Sequence, residues 1–215
     1  MKKNVFFYVF DSMSDWEPGY ALAELHSGRF FKPGVPGYIV RTVSQSREPV
    51  LTMGGVRILP DMVPAEIKAD SEAGILLLPG GETWLEPLHD PIFGQVAKFL
   101  AEGIPVAAIC GATLGLADHG FLDHRRHTSN DPDYLKAACP AYRGEACYQH
   151  RPAVADRDLI TASGTAPLEF AREILARLEV FTPETLAAWY GLHRTHEKKY
   201  FAALESSLRK QPSAS

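Results

Sequence analysis

The sequence has little cysteine, and what it has does not pair by pattern: Cys110, Cys139 and Cys147 are three in number, with no Cys-x-x-Cys spacing. That excludes a disulfide framework and fits a reduced, cytoplasmic setting. The chain also lacks an excess of positive charge. With 22 Lys and Arg against 26 Asp and Glu, its formal net charge is −4, so no nucleic-acid partner is expected. Nowhere does it approach the ~18 consecutive apolar residues of a membrane helix, so no membrane partner is expected either. The apolar start at residues 5–10 follows Lys2-Lys3 but stops at Asp11 with no small-residue cleavage site behind it, and reads as a strand rather than a leader. Repeats at solenoid spacing are absent. His193 and His196 have no carboxylate or cysteine to complete a zinc set, so neither a metal nor another cofactor is expected.

What the sequence does have is 46% hydrophobic residues over 215 positions, enough for one ordinary core. Continuous apolar runs at residues 5–10, 74–78, 104–109 and 159–163 read as buried parallel strands. Residues 38–43 alternate and read as a strand, residues 49–60 as a small hairpin about Gly54-Gly55, and residues 142–149 and 152–156 as further strands. Helical spacing falls between them, at 15–25, 90–102, 112–119, 134–139 and 168–180. Strands alternating with helices predict an α/β fold: a three-layer, doubly wound, mostly parallel sheet. Residues 1–182 form that domain; residues 183–215 form a helical C-terminal extension whose last five residues are expected to be disordered.

The most informative stretch is residues 103–119. An apolar strand ends at Ile109, Cys110 follows at once, and Gly111, Ala112 and Thr113 open a helix. A strand that becomes a helix at one residue flanked by small side chains is a nucleophile elbow. The helix start then faces the sulfur and favours thiolate over thiol. The alternative is a buried structural cysteine, packing as a small hydrophobe. Two other segments deliver residues to the same sheet edge. Glu17 follows the first strand; with Ser14 it has capping-box spacing, and it is also a carboxyl group where open sheets bind ligands. Gly80-Gly81 follows the strand at 74–78 and either exposes N–H groups to a ligand or makes a plain turn. Trp84, just beyond, lines a site or packs.

With these residues in view the sequence resembles the ThiJ/PfpI superfamily, of class I glutamine amidotransferase-like, flavodoxin-like fold. Four motifs match in order: Glu17, Leu78-Pro79-Gly80-Gly81, Ala108-Ile109-Cys110-Gly111-Ala112, and Thr161-Ala162-Ser163-Gly164. The resemblance implies that Cys110 is the nucleophile, that Glu17 is a protonated carboxyl bonded to its thiolate, and that Gly81 and Gly111 N–H groups form an oxyanion hole. It also implies a homodimer, whose interface would use Trp189, Tyr190, Tyr200 and Phe201 unless these pack back on their own subunit. The expected activity is cysteine-dependent hydrolysis, or glyoxalase- or deglycase-like attack on a carbonyl, with a small molecule or peptide as substrate. A redox sensor that oxidises Cys110 is the alternative. Two departures bear on this. The protease-like branch has a histidine directly after the cysteine, where this chain has Gly111. Another branch has a histidine in the segment after the elbow helix, where this chain has Asn130. His127, three residues earlier, is a candidate base or a solvated loop residue.

Overall fold

The structure is a computed structural model that describes residues 2–210. Its main sheet has six strands: β1 (Lys3–Tyr8), β2 (Tyr38–Val43), β5 (Ala73–Leu78), β6 (Val106–Ile109), β7 (Ala153–Asp156) and β8 (Leu159–Ala162). A separate antiparallel hairpin joins β3 (Val50–Leu51) to β4 (Arg57–Ile58). The sheet order is β2-β1-β5-β6-β8-β7, parallel throughout except for β7 against β8. Composition explains the order. Every residue of β5 and β6 is buried, because helices cover both sheet faces and leave no polar side. At the edge, β2 exposes Arg41.

The helices are α1 (Gly19–Ser27), α2 (Asp90–Ala101), α3 (Ala112–Asp118), α4 (Pro132–Ala138), α5 (Pro167–Arg177), α6 (Pro183–Thr195) and α7 (Lys198–Arg209). Because β1, β5 and β6 are neighbours and parallel, the chain leaves all three at one edge. There Glu17, Gly80-Gly81 and Cys110 meet. No helix among the described residues is long and apolar enough to cross a membrane.

One expectation changes. Residues 142–149 are not a strand. They form a 3-10 turn at Glu145–Cys147, with a single bridge between Tyr148 and His127. Tyr142 and Tyr148 instead pack as aromatic edges on His127, and a Cβ at Gly144 would sit 2.5 Å from Leu122 O. The aromatic spacing that suggests a strand is a set of anchors for this loop. Residues 211–215, expected to be disordered, lie outside the described residues.

The extension packs back on its own subunit. Helix α6 lies on α5, with α7 on α6. Trp189 is fully buried, and its Nε1 donates to Glu24 Oε1 of α1 at 3.0 Å. Arg29 neutralises the same buried carboxylate with two hydrogen bonds. Trp189→Ala removes a large core side chain and leaves Glu24 short of a donor. It is expected to lower stability by about 3–5 kcal/mol, read from urea unfolding.

Candidate active site

Cys110 lies between the last residue of β6 and the start of α3 with φ +59°, in the left-handed region that costs a non-glycine residue about 1–3 kcal/mol. Surrounding bonds hold it there. Its N–H donates to Ala162 O at 3.0 Å, and its carbonyl accepts from Thr113 N–H at 3.1 Å and Thr113 Oγ1 at 2.6 Å. This is the elbow geometry, with the sulfur carried off the end of the strand and partly exposed.

Glu17 does not cap a helix. Helix α1 begins two residues later, its N-cap is Pro18, and no side chain caps it. The Glu17 side chain, 1% exposed, turns into the sheet edge instead, and Oε2 accepts the Gly80 N–H. Its other oxygen, Oε1, is buried with no hydrogen-bond partner among the described residues. Glycines make room for this arrangement. A Cβ at Gly80 would fall 2.6 Å from Cys110 Cβ and 2.7 Å from Glu17 Oε1. A Cβ at Gly164 would fall 2.7 Å from Cys110 Sγ and 3.0 Å from Glu17 Oε1. Sulfur and carboxyl oxygen thus share one small space between two glycine turns. Gly164 therefore belongs to the site, a place that the Thr161-Ala162-Ser163-Gly164 motif alone does not reveal.

Asn130 is part of the site too. Its Nδ2 donates to Cys110 Sγ at 3.3 Å, and its Oδ1 accepts the Gly164 N–H at 2.8 Å. The second bond fixes the amide orientation: with the oxygen committed to an N–H, the NH2 end must face the sulfur. The side chain stabilises sulfur charge but cannot move a proton.

His127 is not a solvated loop residue, and both of its ring nitrogens are engaged. It is fully buried, with Nδ1 on Arg125 O at 2.7 Å and Nε2 on Tyr142 Oη at 2.6 Å. Burial pushes its pKa down, so it stays neutral. Trp84 does not line an opening either. It is 1% exposed, donates Nε1 to Pro79 O at 2.9 Å, and stacks on His89. Its role is to back the glycine turns, for its Cδ1 would lie 3.1 Å from a Cβ at Gly111. That same Cβ would overlap Gly81 O, so a side chain at 111 is sterically excluded while the two turns touch.

The electrostatics differ from the expectation of an exposed, readily ionised cysteine. Burial pushes the Cys110 thiol up; the Asn130 donor opposes this, and an ionised Glu17 adds to it. Burial likewise raises the Glu17 carboxyl, against the pull of the Gly80 N–H. Two acids in one poorly hydrated space cannot both ionise, so the pair holds on to one proton. A carboxyl whose folded pKa is raised binds a proton that the unfolded chain has released. Its contribution to stability is therefore present at low pH and lost as pH rises from the ordinary 4.5 to the folded value. Glu17→Gln, a neutral isostere, is expected to flatten this dependence and to gain stability relative to wild type at about pH 8 but not at about pH 4. Urea midpoints across that range measure it; parallel profiles for the two proteins contradict a protonated Glu17.

A parallel sheet that brings an elbow cysteine against a buried carboxyl group defines a class, and the sequence match agrees: the chain belongs to the DJ-1/PfpI family, whose pattern matches residues 3–177. Among its relatives, a protein of Bacillus subtilis (strain 168) named "Uncharacterized protease YoaZ" is 49% identical over 208 residues, covering 97% of this chain and 99% of that one. The crystal structure of a thiJ/pfpI family protein from Bacillus anthracis superposes with a TM-score of 0.93 at 50% identity, over 98% of this chain and 99% of that one. More distantly, the Caenorhabditis elegans "Glutathione-independent glyoxalase DJR-1.2" is 26% identical over 147 residues, 66% of this chain and 75% of that one.

Proposed function

We propose that the protein is a cysteine-dependent enzyme of glyoxalase type, acting on a small 2-oxoaldehyde through Cys110 and Glu17. The observation that carries this reading is the company Cys110 keeps: a buried carboxyl group and an amide, with His127 turned to Arg125 O and Tyr142. Amide hydrolysis needs an acid to protonate a departing amine, a task that usually falls to histidine. Addition to an aldehyde expels nothing. The Cys110 thiolate attacks the aldehyde carbon, and the Glu17 proton goes to the new alkoxide, giving a hemithioacetal. The Glu17 carboxylate then takes the proton from that carbon and returns one to the adjacent carbonyl carbon through an enediol, leaving a thioester. Water hydrolyses it to the 2-hydroxy acid and regenerates the thiol. Gly81 and Gly111 N–H groups provide donors for the oxyanions. The glyoxalase name of the C. elegans relative supports the choice, while the protease name of the B. subtilis relative supports the hydrolase alternative.

The test is methylglyoxal consumption with lactate formation, measured beside hydrolysis of a peptide amide. Methylglyoxal is expected to be consumed catalytically and the amide to be left intact. Amide hydrolysis without methylglyoxal turnover would replace this reading with a hydrolase. No turnover of either, with stoichiometric sulfinate at Cys110 after mild peroxide, would replace it with a redox sensor. The proposal includes a homodimer: Trp16, beside Glu17, is 54% exposed, as are Met53 at 47% and Val56 at 55% on the hairpin tied to the Asp11–Asp15 loop. Sedimentation at micromolar concentration is expected to give twice the chain mass.

A further inference from the structure

Three buried side-chain polar atoms lack a hydrogen-bond partner among the described residues: Glu17 Oε1, Gln95 Oε1 and Arg125 Nη1. The first belongs to the site at Cys110. The second is the free end of an amide whose other end is held by Pro64 O at 2.7 Å. The third is a charged donor, and leaving such a group unsatisfied costs more than leaving a neutral one.

Arg125 lines a surface cavity of about 430 Å³ together with Leu100, Gly120, Phe121, His124 and Arg157. Its backbone is bonded, N–H to Leu122 O and carbonyl to His127, but its guanidinium Nη1 donates to no described residue. Arg157 adds a second cation to the cavity from the turn between β7 and β8, where it holds φ +55°. Two carboxylates lie near the cations, and each also has a partner outside the cavity. Asp156 accepts the Arg126 N–H at 2.7 Å and lies 3.7 Å from Arg157, while Asp158 pairs with Arg177. Burial disfavours the Arg125 charge first, Arg157 disfavours it further, and Asp156 and Asp158 offset this in part.

We propose that this cavity is a second binding site, taking a small anionic ligand whose phosphate or carboxylate group sits between Arg125 and Arg157. The guanidinium fork supplies paired N–H donors that match either oxyanion, and the ligand supplies the acceptor that Arg125 lacks. Leu100 and Phe121 offer an apolar wall to the remainder of the ligand. The site lies at the sheet edge opposite Cys110: Asp158, next to Arg157, accepts the N–H of Val106 at the first residue of β6, whereas Cys110 follows its last. It is independent of the proposed chemistry.

Calorimetric titration of the full chain with inorganic phosphate, and separately with succinate, tests the proposal. At least one of the two is expected to bind saturably, and the tighter of the two assigns the headgroup. Arg157→Gln, at an exposed turn, is expected to weaken that binding about tenfold or more. Arg126→Gln, next in the chain but outside the cavity, is expected to leave it unchanged. Cys110→Ala is expected to bind as wild type, which separates this site from the fate of the glyoxalase reading. Absence of saturable binding by both probes, or binding unaltered in Arg157→Gln, overturns the proposal.

Discussion

Cys110→Ala is expected to lower kcat/KM for methylglyoxal by at least about three orders of magnitude, the scale set when a covalent nucleophile is removed from an enzyme whose binding groups remain. The loss belongs in kcat. The groups that would hold a bound oxygen, Gly81 and Gly111 N–H, are backbone and survive the substitution. Folding is not the cause, because alanine replaces a partly buried side chain of similar size at a φ that strains both residues alike. Cys110→Ser is expected to be nearly as inactive. A hydroxyl is a far weaker acid than a thiol, and a Glu17 that carries the proton, as the proposed chemistry requires, is no base for it. A variant at position 110 that keeps a tenth of the activity would move the chemistry to another residue. Cys139 is a poor candidate: it is fully buried, and burial pushes its thiol up to about 11.

The architecture was legible in the sequence because burial of a parallel sheet leaves a plain trace. Residues 74–78 and 104–109 are apolar without interruption, and they became β5 and β6. The elbow was legible because small residues crowd Cys110 where an apolar strand becomes a helix; the reason for one of them, Gly111, lies in the Gly81 carbonyl that a Cβ there would overlap, and that contact is not visible in the sequence. Glu17 could be placed at the right edge but not given a role, since Ser14 and Glu17 have the spacing of a helix cap; the deciding partner, Gly80 N–H, is 63 residues away. His127 was misread for the same reason. Its partner Tyr142 comes from a segment that looks like a strand, so nothing local marks it as buried. Gly164 resembles any glycine after a strand until Cys110 Sγ and Glu17 Oε1 are seen against it. The raised thiol pKa was not legible at all, because desolvation depends on the surroundings of the sulfur and not on its neighbours in sequence.

Gly111→His, which introduces the residue that the resemblance places after the cysteine in the protease-like branch, is expected to create no peptidase and to destabilise the fold by more than about 3 kcal/mol. The Cβ alone overlaps Gly81 O and approaches Trp84 Cδ1 at 3.1 Å. Neither neighbour can retreat cheaply. Trp84 is tied to Pro79 O and packed against His89 and Phe93, and the Gly81 turn is tied through the Ser14 N–H to Gly80 O at 3.0 Å. Admitting the side chain therefore means moving the Gly80-Gly81 turn, and with it the N–H that holds Glu17 in place. The variant should lose the wild-type pH dependence of Cys110 alkylation by iodoacetamide as well as stability. Gly111→Ala isolates the steric part: it carries the same Cβ without an imidazole and should show most of the same loss in urea. If Gly111→His instead folds with wild-type stability and hydrolyses a peptide amide, the two turns separate easily. The missing histidine would then be a choice of chemistry at this site rather than a consequence of how closely the turns pack.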